Sequence, residues 1–274
     1  MAVTLTISIV LFNTEPTHLT DLCACIQKVD IPLKTYFIDH SEDGSLAAHI
    51  PDDSRFVYLK KDKNLGYGTG HNEVIRQEMD RGVYHLVVNP DVYFDEGVLE
   101  QILAFAEGNP EAGLIMPRIL NPDGADQHLY KLLPNPAVMI VRRFLPGGLK
   151  GMFRGLLGDY EMSAADPGKV FQAPYLSGCF MWLRKEALKE VGLFDERYFL
   201  YFEDVDLSRR VGAKWKTLYY GQVSIYHYFQ RGSYNSWRLL RYHLQSAVKY
   251  FNKFGWLDRE RKSLNRQALE QFNS

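Results

Sequence analysis

The stretch at 199–210, Phe-Leu-Tyr-Phe-Glu-Asp-Val-Asp-Leu-Ser-Arg-Arg, sets Glu203, Asp204 and Asp206 directly after four bulky apolar residues. Carboxylates pressed against an apolar wall tend to have raised pKa values and to serve as general bases. A plainer reading is a helix start, with acids in the first turn, cations in the last and Asp204 as the N-cap. That reading accounts for Asp206, which precedes Arg209 and Arg210 by three and four residues and suits an ion pair. It leaves the adjacent Glu203 and Asp204 unexplained. A second carboxylate stands in Asn89-Pro90-Asp91-Val92, just past the apolar run at 85–88. An acid at a strand end, stiffened by proline, is well placed to grip a divalent ion, although Asn-Pro-Asp also suits an Asx turn. Asp39 ends another apolar run before the polar loop at 40–45. Capping the next turn is its alternative role.

These residues need elements to hold them. Leu5, Ile7, Ile9 and Leu11 alternate, so 5–12 reads as a first buried strand. Leu19, Leu22, Cys23 and Ile26 share a helical face, and 35–39 reads as a second strand. Strand, helix, strand at this spacing is a right-handed βαβ unit, so the sheet is at least partly parallel. Ligands then bind beyond the carboxyl ends of its strands. Further strands are expected at 56–59, 85–88, 113–116, 180–183, 215–220 and 223–227, and helices at 97–107 and 185–191. Gly66, Gly68 and Gly70 alternate within 64–72 ahead of a helix. Such spacing permits close approach of backbone to a ligand, although an ordinary Gly-rich turn reads as well. It is not the dinucleotide fingerprint, because the spacing differs and it does not follow the first strand. His227 ends its strand before Arg231-Gly232-Ser233; a lone histidine gains weight only from its neighbours.

Over 121–174 the regular pattern fades. Val138, Ile140, Arg142, Arg143, Lys150, Phe153 and Arg154 there mix apolar and basic character, with no acid between 138 and Asp159. This is either a membrane-surface patch or a solvated loop over the core. The pattern at 237–256 is helical, with Leu240, Leu244, Ala247, Val248 and Phe251 on one face.

The 274 residues suffice for one large domain or two small ones. A formal net charge of -1 gives no global drive toward nucleic acid. Three cysteines (Cys23, Cys25 and Cys179) fit neither a zinc pattern nor a disulfide framework and read as reduced thiols of a cytosolic protein. The apolar N-terminus lacks a basic n-region, and no apolar run reaches transmembrane length.

Taken in order, these pieces resemble the inverting family 2 glycosyltransferases with a GT-A fold, in the branch containing bacterial rhamnosyltransferases of surface polysaccharide. The matching motifs are Ile-Val-Leu-Phe-Asn at 9–13, Ile-Asp-His-Ser at 38–41, 64–72, Asn-Pro-Asp at 89–91, Leu-Ser-Gly-Cys-Phe-Met at 176–181, Phe-Asp-Glu at 194–196, Phe-Glu-Asp-Val-Asp-Leu at 202–207 and His227. The resemblance implies an α/β fold: a Rossmann-like, mixed, mostly parallel sheet flanked by helices. It implies a catalytic domain over 1–232 and a helical extension over 233–274 packed on it.

For the site it implies Asp204 as base beside Glu203, Asp39 on the donor pyrimidine, and Leu11, Asn13, Asn64, Gly66, Asn72 and Asn89 around the nucleotide. It assigns Asp91, joined by His227, to a Mg2+ or Mn2+ ion and the diphosphate. Two positions depart from the family: His40 stands where Asn is common, and Asn89 replaces the first acid of D-x-D. The implied partners are a dTDP- or UDP-linked sugar, with rhamnose first, and a glycan or polyprenyl-linked glycan acceptor. Peripheral contact with the inner face of the cytoplasmic membrane is implied too. Two other classes compete. A nucleotide-sugar pyrophosphorylase would carry a Gly-rich, basic signature after the first strand, which Asn13-Thr14-Glu15-Pro16 lacks. A non-catalytic partner of the same fold would not need Asp39, Asp91 and Glu203-Asp204 intact.

Overall fold

The computed structural model describes residues 3–146, 149, 151–228 and 236–272. Lys150 and the segment 231–233 lie outside the described residues.

The alternating apolar run at the N-terminus forms β1 (Leu5–Leu11), buried along its whole length. Helix α1 (Pro16–Gln27) starts on a proline at its first turn and buries Leu19, Leu22, Cys23 and Ile26 against the sheet. β2 (Leu33–Asp39) then returns parallel to β1, in register from Leu5 opposite Leu33 to Leu11 opposite Asp39. β3 (Phe56–Lys60), α2 (Tyr67–Gln77) and β4 (Tyr84–Val88) repeat the unit. Among the described residues nine strands form one sheet, in the order β3-β2-β1-β4-β10-β6-β11-β5, with β8 pairing β11. Here β5 is Val92–Tyr93, β6 Ala112–Leu120, β8 Val170–Gln172, β10 Phe180–Arg184 and β11 Lys216–His227. β10 runs antiparallel to both its neighbours, whereas β6 and β11 are parallel, so the sheet is mixed as expected.

Three expectations are corrected. The strands at 215–220 and 223–227 are a single strand, β11, with a register shift between Tyr220 and Ser224. The stretch at 121–174 is more regular than its prolines and glycines suggest. It holds β7 (Tyr130–Lys131), paired with β9 (Tyr175–Leu176), and the helices α4 (Pro136–Phe144) and α5 (Arg154–Tyr160). Short elements carry too little periodicity to stand out.

The third correction concerns the C-terminal helices. α8 (Trp237–Phe254) buries Ser246, Ala247, Tyr250 and Phe251 but leaves Leu244 and Val248 exposed, so its inner face is rotated from the one the leucines mark. Tyr250 and Phe251 pack with Tyr198, Phe202, Val205 and Leu133 in a second core. That core lies under α7 (Glu203–Gly212), the helix that begins with the paired carboxylates. α9 (Arg259–Glu270) follows, capped by the Asp258 side chain, and Asp258 pairs with buried Arg209 of α7 at 2.5 Å. α3 (Val98–Gly108) and α6 (Lys185–Val191) complete the helices used below.

Candidate active site

A cleft of about 1550 Å³ opens across the carboxyl ends of β1 and β4. It exceeds the size of a pocket for one small ligand and has room for two substrates. Asn13, His40, Asn64, Gly66, Asn89, Asp91, Glu203, Asp204 and His227 all line it.

Asp204 is not an N-cap. Phe202 holds that position without a side-chain cap, and both Tyr201 and Phe202 adopt left-handed backbone at φ 66° and 68°. Two bulky residues in that region store strain of about 1–3 kcal/mol each. The bend turns Asp204 back onto the loop after β9. There Asp204 Oδ2 accepts from Gly178 N–H and from the Tyr175 hydroxyl, both at 3.0 Å. Oδ1 accepts from Val205 N–H at 2.8 Å. A Cβ on Gly178 would lie 3.2 Å from Asp204 Cβ, so glycine permits this approach.

Burial raises the Asp204 pKa, and the three donors oppose that rise. Glu203 is raised well above the carboxylate range, first by burial and then by the charge of Asp204. Its Oε2 is buried with no hydrogen-bond partner. Both carboxyls are raised, Glu203 the further, because only Asp204 has three donors to favour its anion. Asp206 is spent elsewhere, on Arg210 at 2.7 Å and Lys253 at 2.5 Å. Arg209, the other partner that spacing allowed, goes to Asp258 and Glu260 instead.

At the other side, β5 pairs with the end of β11, setting Val92 opposite His227. His227 Nε2 thereby stands 3.3 Å from Asp91 Oδ1, a buried oxygen that accepts no hydrogen bond. Gln127 gives its Nε2 protons to the carbonyl oxygens of His227 and Leu120 and to Asn121 Oδ1, which leaves Oε1 facing His227 Nδ1 at 2.9 Å. That oxygen only accepts, so Nδ1 carries a proton and Nε2 is the nitrogen that faces the Asp91 carboxylate. Nε2 and Asp91 Oδ1 would suit a divalent cation between them, with an acceptor on the far imidazole nitrogen as metal-bound histidines usually have. No group of three or more His, Cys, Asp or Glu suited to a metal occurs among the described residues, so oxygens of a bound phosphate and water would complete the shell.

The two sides are wired together. Asn89 N–H donates to Cys179 O at 2.9 Å. The Tyr67 hydroxyl shares its proton between Gly178 O at 2.6 Å and Asn89 Oδ1 at 2.9 Å. Asn89 thus braces the cleft through Tyr67. Under Tyr67 lies His71, edge to face at 4.4 Å, bonded to Ser8 and through it to His85 and Thr6. Burial keeps both histidines neutral, His71 at about 3.

Several residues expected at the nucleotide lie behind the cleft wall. Asp39 is fully buried, its Oδ1 accepting from Ser41 N–H at 2.8 Å and its Oδ2 from the Tyr58 hydroxyl at 2.5 Å. It closes the turn after β2, while His40 forms the cleft wall with both ring nitrogens buried and unsatisfied by hydrogen bonds. Asn72 is also fully buried, holding Phe194 N–H and O and the Glu196 carboxylate, so it anchors the loop before α7. Leu11 lies in the core, where its carbonyl accepts from His40 N–H at 2.9 Å. Asn64 and Gly66 line the cleft, and Asn64 Oδ1 accepts from Gly66 N–H at 2.9 Å. Gly66 has φ 89°, and a Cβ there would lie 2.5 Å from Phe199 O. Sequence reading missed Tyr67, Tyr175 and Gln127. Gln127 falls in the stretch without clear periodicity, and tyrosines are too many for one to stand out.

A mixed sheet with a cleft at its carboxyl edge, lined by the buried Glu203-Asp204 pair and by Asp91 with His227, fits the GT-A class of sugar transferase. Solved structures agree on the fold. GalNAc-T7 with UDP, GalNAc and Mn2+ matches 99% of this chain and 56% of its own, at a TM-score of 0.62 and 13% identity. A mannosyltransferase from Pyrobaculum calidifontis, in complex with GDP-Man and Mn2+, matches 100% of this chain and 74% of its own, at 0.60 and 15%. No protein-family model matches the chain. An N-acetylglucosaminyl-diphospho-decaprenol L-rhamnosyltransferase from Mycobacterium tuberculosis is 32% identical over 218 residues, 72% of this chain and 67% of the relative. A low-salt glycan biosynthesis hexosyltransferase from Haloferax volcanii is 22% identical over 191 residues, 69% of this chain and 55% of the relative. The chain belongs to the family 2 glycosyltransferases, close to the bacterial rhamnosyltransferases.

Proposed function

We propose that this enzyme moves a rhamnosyl group, with inversion, from a dTDP- or UDP-linked donor to a polyprenyl-diphosphate-linked glycan in surface polysaccharide synthesis. Residues 1–232 form the catalytic domain, and 233–274 a helical extension that buttresses it. The observation that carries this reading is the geometry at Asp204: a carboxylate at the cleft wall whose Oδ2 is held by Gly178 N–H and the Tyr175 hydroxyl, beside buried Glu203. The name of the mycobacterial relative supports the donor sugar and the lipid-linked acceptor.

In this mechanism Asp204 takes the proton of the acceptor hydroxyl as its oxygen attacks the anomeric carbon, in line with the departing nucleoside diphosphate. Gly178 and Tyr175 fix Oδ2, so the carboxylate needs no reorganisation as the proton arrives. Neutral Glu203 keeps a second negative charge away from it. Asp91 and His227 would hold Mg2+ or Mn2+, which when bound offsets the charge growing on the leaving diphosphate. Asn13, His40 and Asn64 receive the nucleoside.

The test is release of free nucleoside diphosphate from dTDP-rhamnose with a short lipid-linked acceptor, for the native protein, Asp204→Asn and Asp91→Ala. Asp204→Asn lowers turnover by about a hundredfold or more while metal-dependent nucleotide binding, read by calorimetry, persists. Asp91→Ala loses both. Near-native turnover in Asp204→Asn, or full activity in excess chelator, overturns the assignment.

A further inference from the structure

Lys131 has no counterpart in the chemistry described so far. It lies in the short strand β7 and is only 8% exposed, yet it borders the cleft. Its ammonium donates to His128 O at 3.0 Å and stands 5.8 Å from the Tyr160 ring. No carboxylate comes within 4.0 Å of it among the described residues. A cation withdrawn from water without an anion is costly. Burial pushes its pKa down to about 8, the neighbouring Arg142 lowers it further, and Glu161 opposes the shift.

Position makes the cost intelligible. β7 and β9 pair antiparallel with Lys131 opposite Tyr175, whose hydroxyl holds Asp204. Directly opposed residues share a face, so Lys131 stands one strand away from the base. Arg142 lies 5.4 Å from the same Tyr160 ring and pairs with Glu161 at 3.8 Å, and Arg143 and Arg238 line the cleft as well. The Lys131 ammonium and these guanidinium groups give the cleft cations that the chemistry of Asp91, His227 and Asp204 does not use.

We propose that Lys131, backed by Arg142, Arg143 and Arg238, is a subsite for a phosphate or diphosphate group of the acceptor. A bound diphosphate supplies the anion the buried ammonium lacks, and guanidinium groups grip its oxygens in pairs. The subsite recognises the charged link between glycan and lipid, and so selects acceptors that carry one. The inference rests on the transferase reading only for which substrate brings the phosphate; the donor's diphosphate has the same chemistry, and the test separates the two.

One arm reads binding alone. Inorganic pyrophosphate is titrated by calorimetry into the Asp91→Ala protein in excess chelator, where the metal end is disabled. Binding persists there and weakens at least about tenfold when Lys131→Met is added. The other arm compares kcat/KM for a polyprenyl-diphosphate glycan with that for the same glycan as a neutral alkyl glycoside. Lys131→Met lowers the ratio at least about tenfold through acceptor KM, with donor KM within about twofold of native. A thermal melt of each variant checks folding, and Arg143→Gln is read identically if Lys131→Met fails to fold. An unchanged ratio, a loss confined to donor KM, or pyrophosphate binding indifferent to Lys131 overturns the subsite. Failure of the native protein to transfer sugar to either acceptor would instead strike the transferase reading, leaving the binding arm to decide the subsite.

Discussion

Glu203 and Asp204 are adjacent carboxylates whose surroundings raise their pKa values unequally. Asp204 has three donors, and Glu203 has burial and a neighbouring anion. The pKa of Glu203 is raised in the folded chain, so its contribution to stability is fully present below the unfolded value near 4.5 and is lost as pH rises through the folded value. Glu203→Gln removes that loss. Denaturant unfolding between pH 5 and 9 should give the variant a flatter curve, more stable than native at the alkaline end; parallel curves would mean Glu203 is ionised in the fold. Turnover in this variant should fall less than in Asp204→Asn, because glutamine preserves the neutral neighbour. The native rate should drop as pH falls through the raised pKa of Asp204, since the proton occupies the base. Absence of such an acid limb in kcat against pH would count against Asp204 as base.

At the scale of elements, α7 is clamped at both ends. Its start is a strained bend braced by Gly66 and Asn72, and its end is tied to α8 and α9 by Arg209. Arg209 and Asp258 are 3% and 6% exposed, and the guanidinium also lies 4.0 Å from the Phe254 ring. Burial is the largest single influence and would raise Asp258, but Arg209, the Arg261 N–H and the charges of both arginines together outweigh it and hold the carboxyl below its ordinary value. Arg209→Met leaves that carboxylate buried and unpaired, at a cost of about 3–5 kcal/mol. Urea unfolding should show this loss. Replacing both partners together, Arg209→Met with Asp258→Leu, should recover much of it. If the double variant is no better than the single, the pair is not what ties the extension to α7.

For the whole molecule, the question is how a cleft proposed to take a lipid-bearing acceptor meets a membrane. No helix among the described residues is long and apolar enough to cross one. The basic-apolar stretch divides on folding. Val138 and Val141 turn inward, and Arg142 and Arg143 line the cleft. Ile140, Leu149, Met152 and Phe153 remain exposed. These four apolar residues, with Arg154, are proposed to rest on an anionic surface. Met152→Asp with Phe153→Asp should reduce sedimentation with anionic vesicles about tenfold or more, whereas Arg142→Glu should chiefly disturb acceptor binding. Equal sedimentation of native and double variant would remove these residues from the membrane.

The sequence alone determined the parallel half of the sheet. Its strands and helices carry unbroken periods, such as Leu5 to Leu11 or Leu19 to Ile26, and local pattern suffices where burial is one-sided or complete. It also located Asp91, His227 and the Glu203-Asp204 pair, because their positions follow from where those elements stop. What it could not determine were the partners of each side chain. Asp39 spends its hydrogen bonds on Ser41 and Tyr58, and Asn72 on the loop at 194–196, while His40 lines the cleft wall. Asp206 goes to Arg210 and Lys253 rather than Arg209 because α8 and α9 approach from far along the chain. Lys131 becomes an anion site only through pairing of two-residue strands 44 residues apart, Tyr130–Lys131 and Tyr175–Leu176. Such short pairs have no period to read, and the competition for each hydrogen bond is decided between segments that meet only in the folded chain.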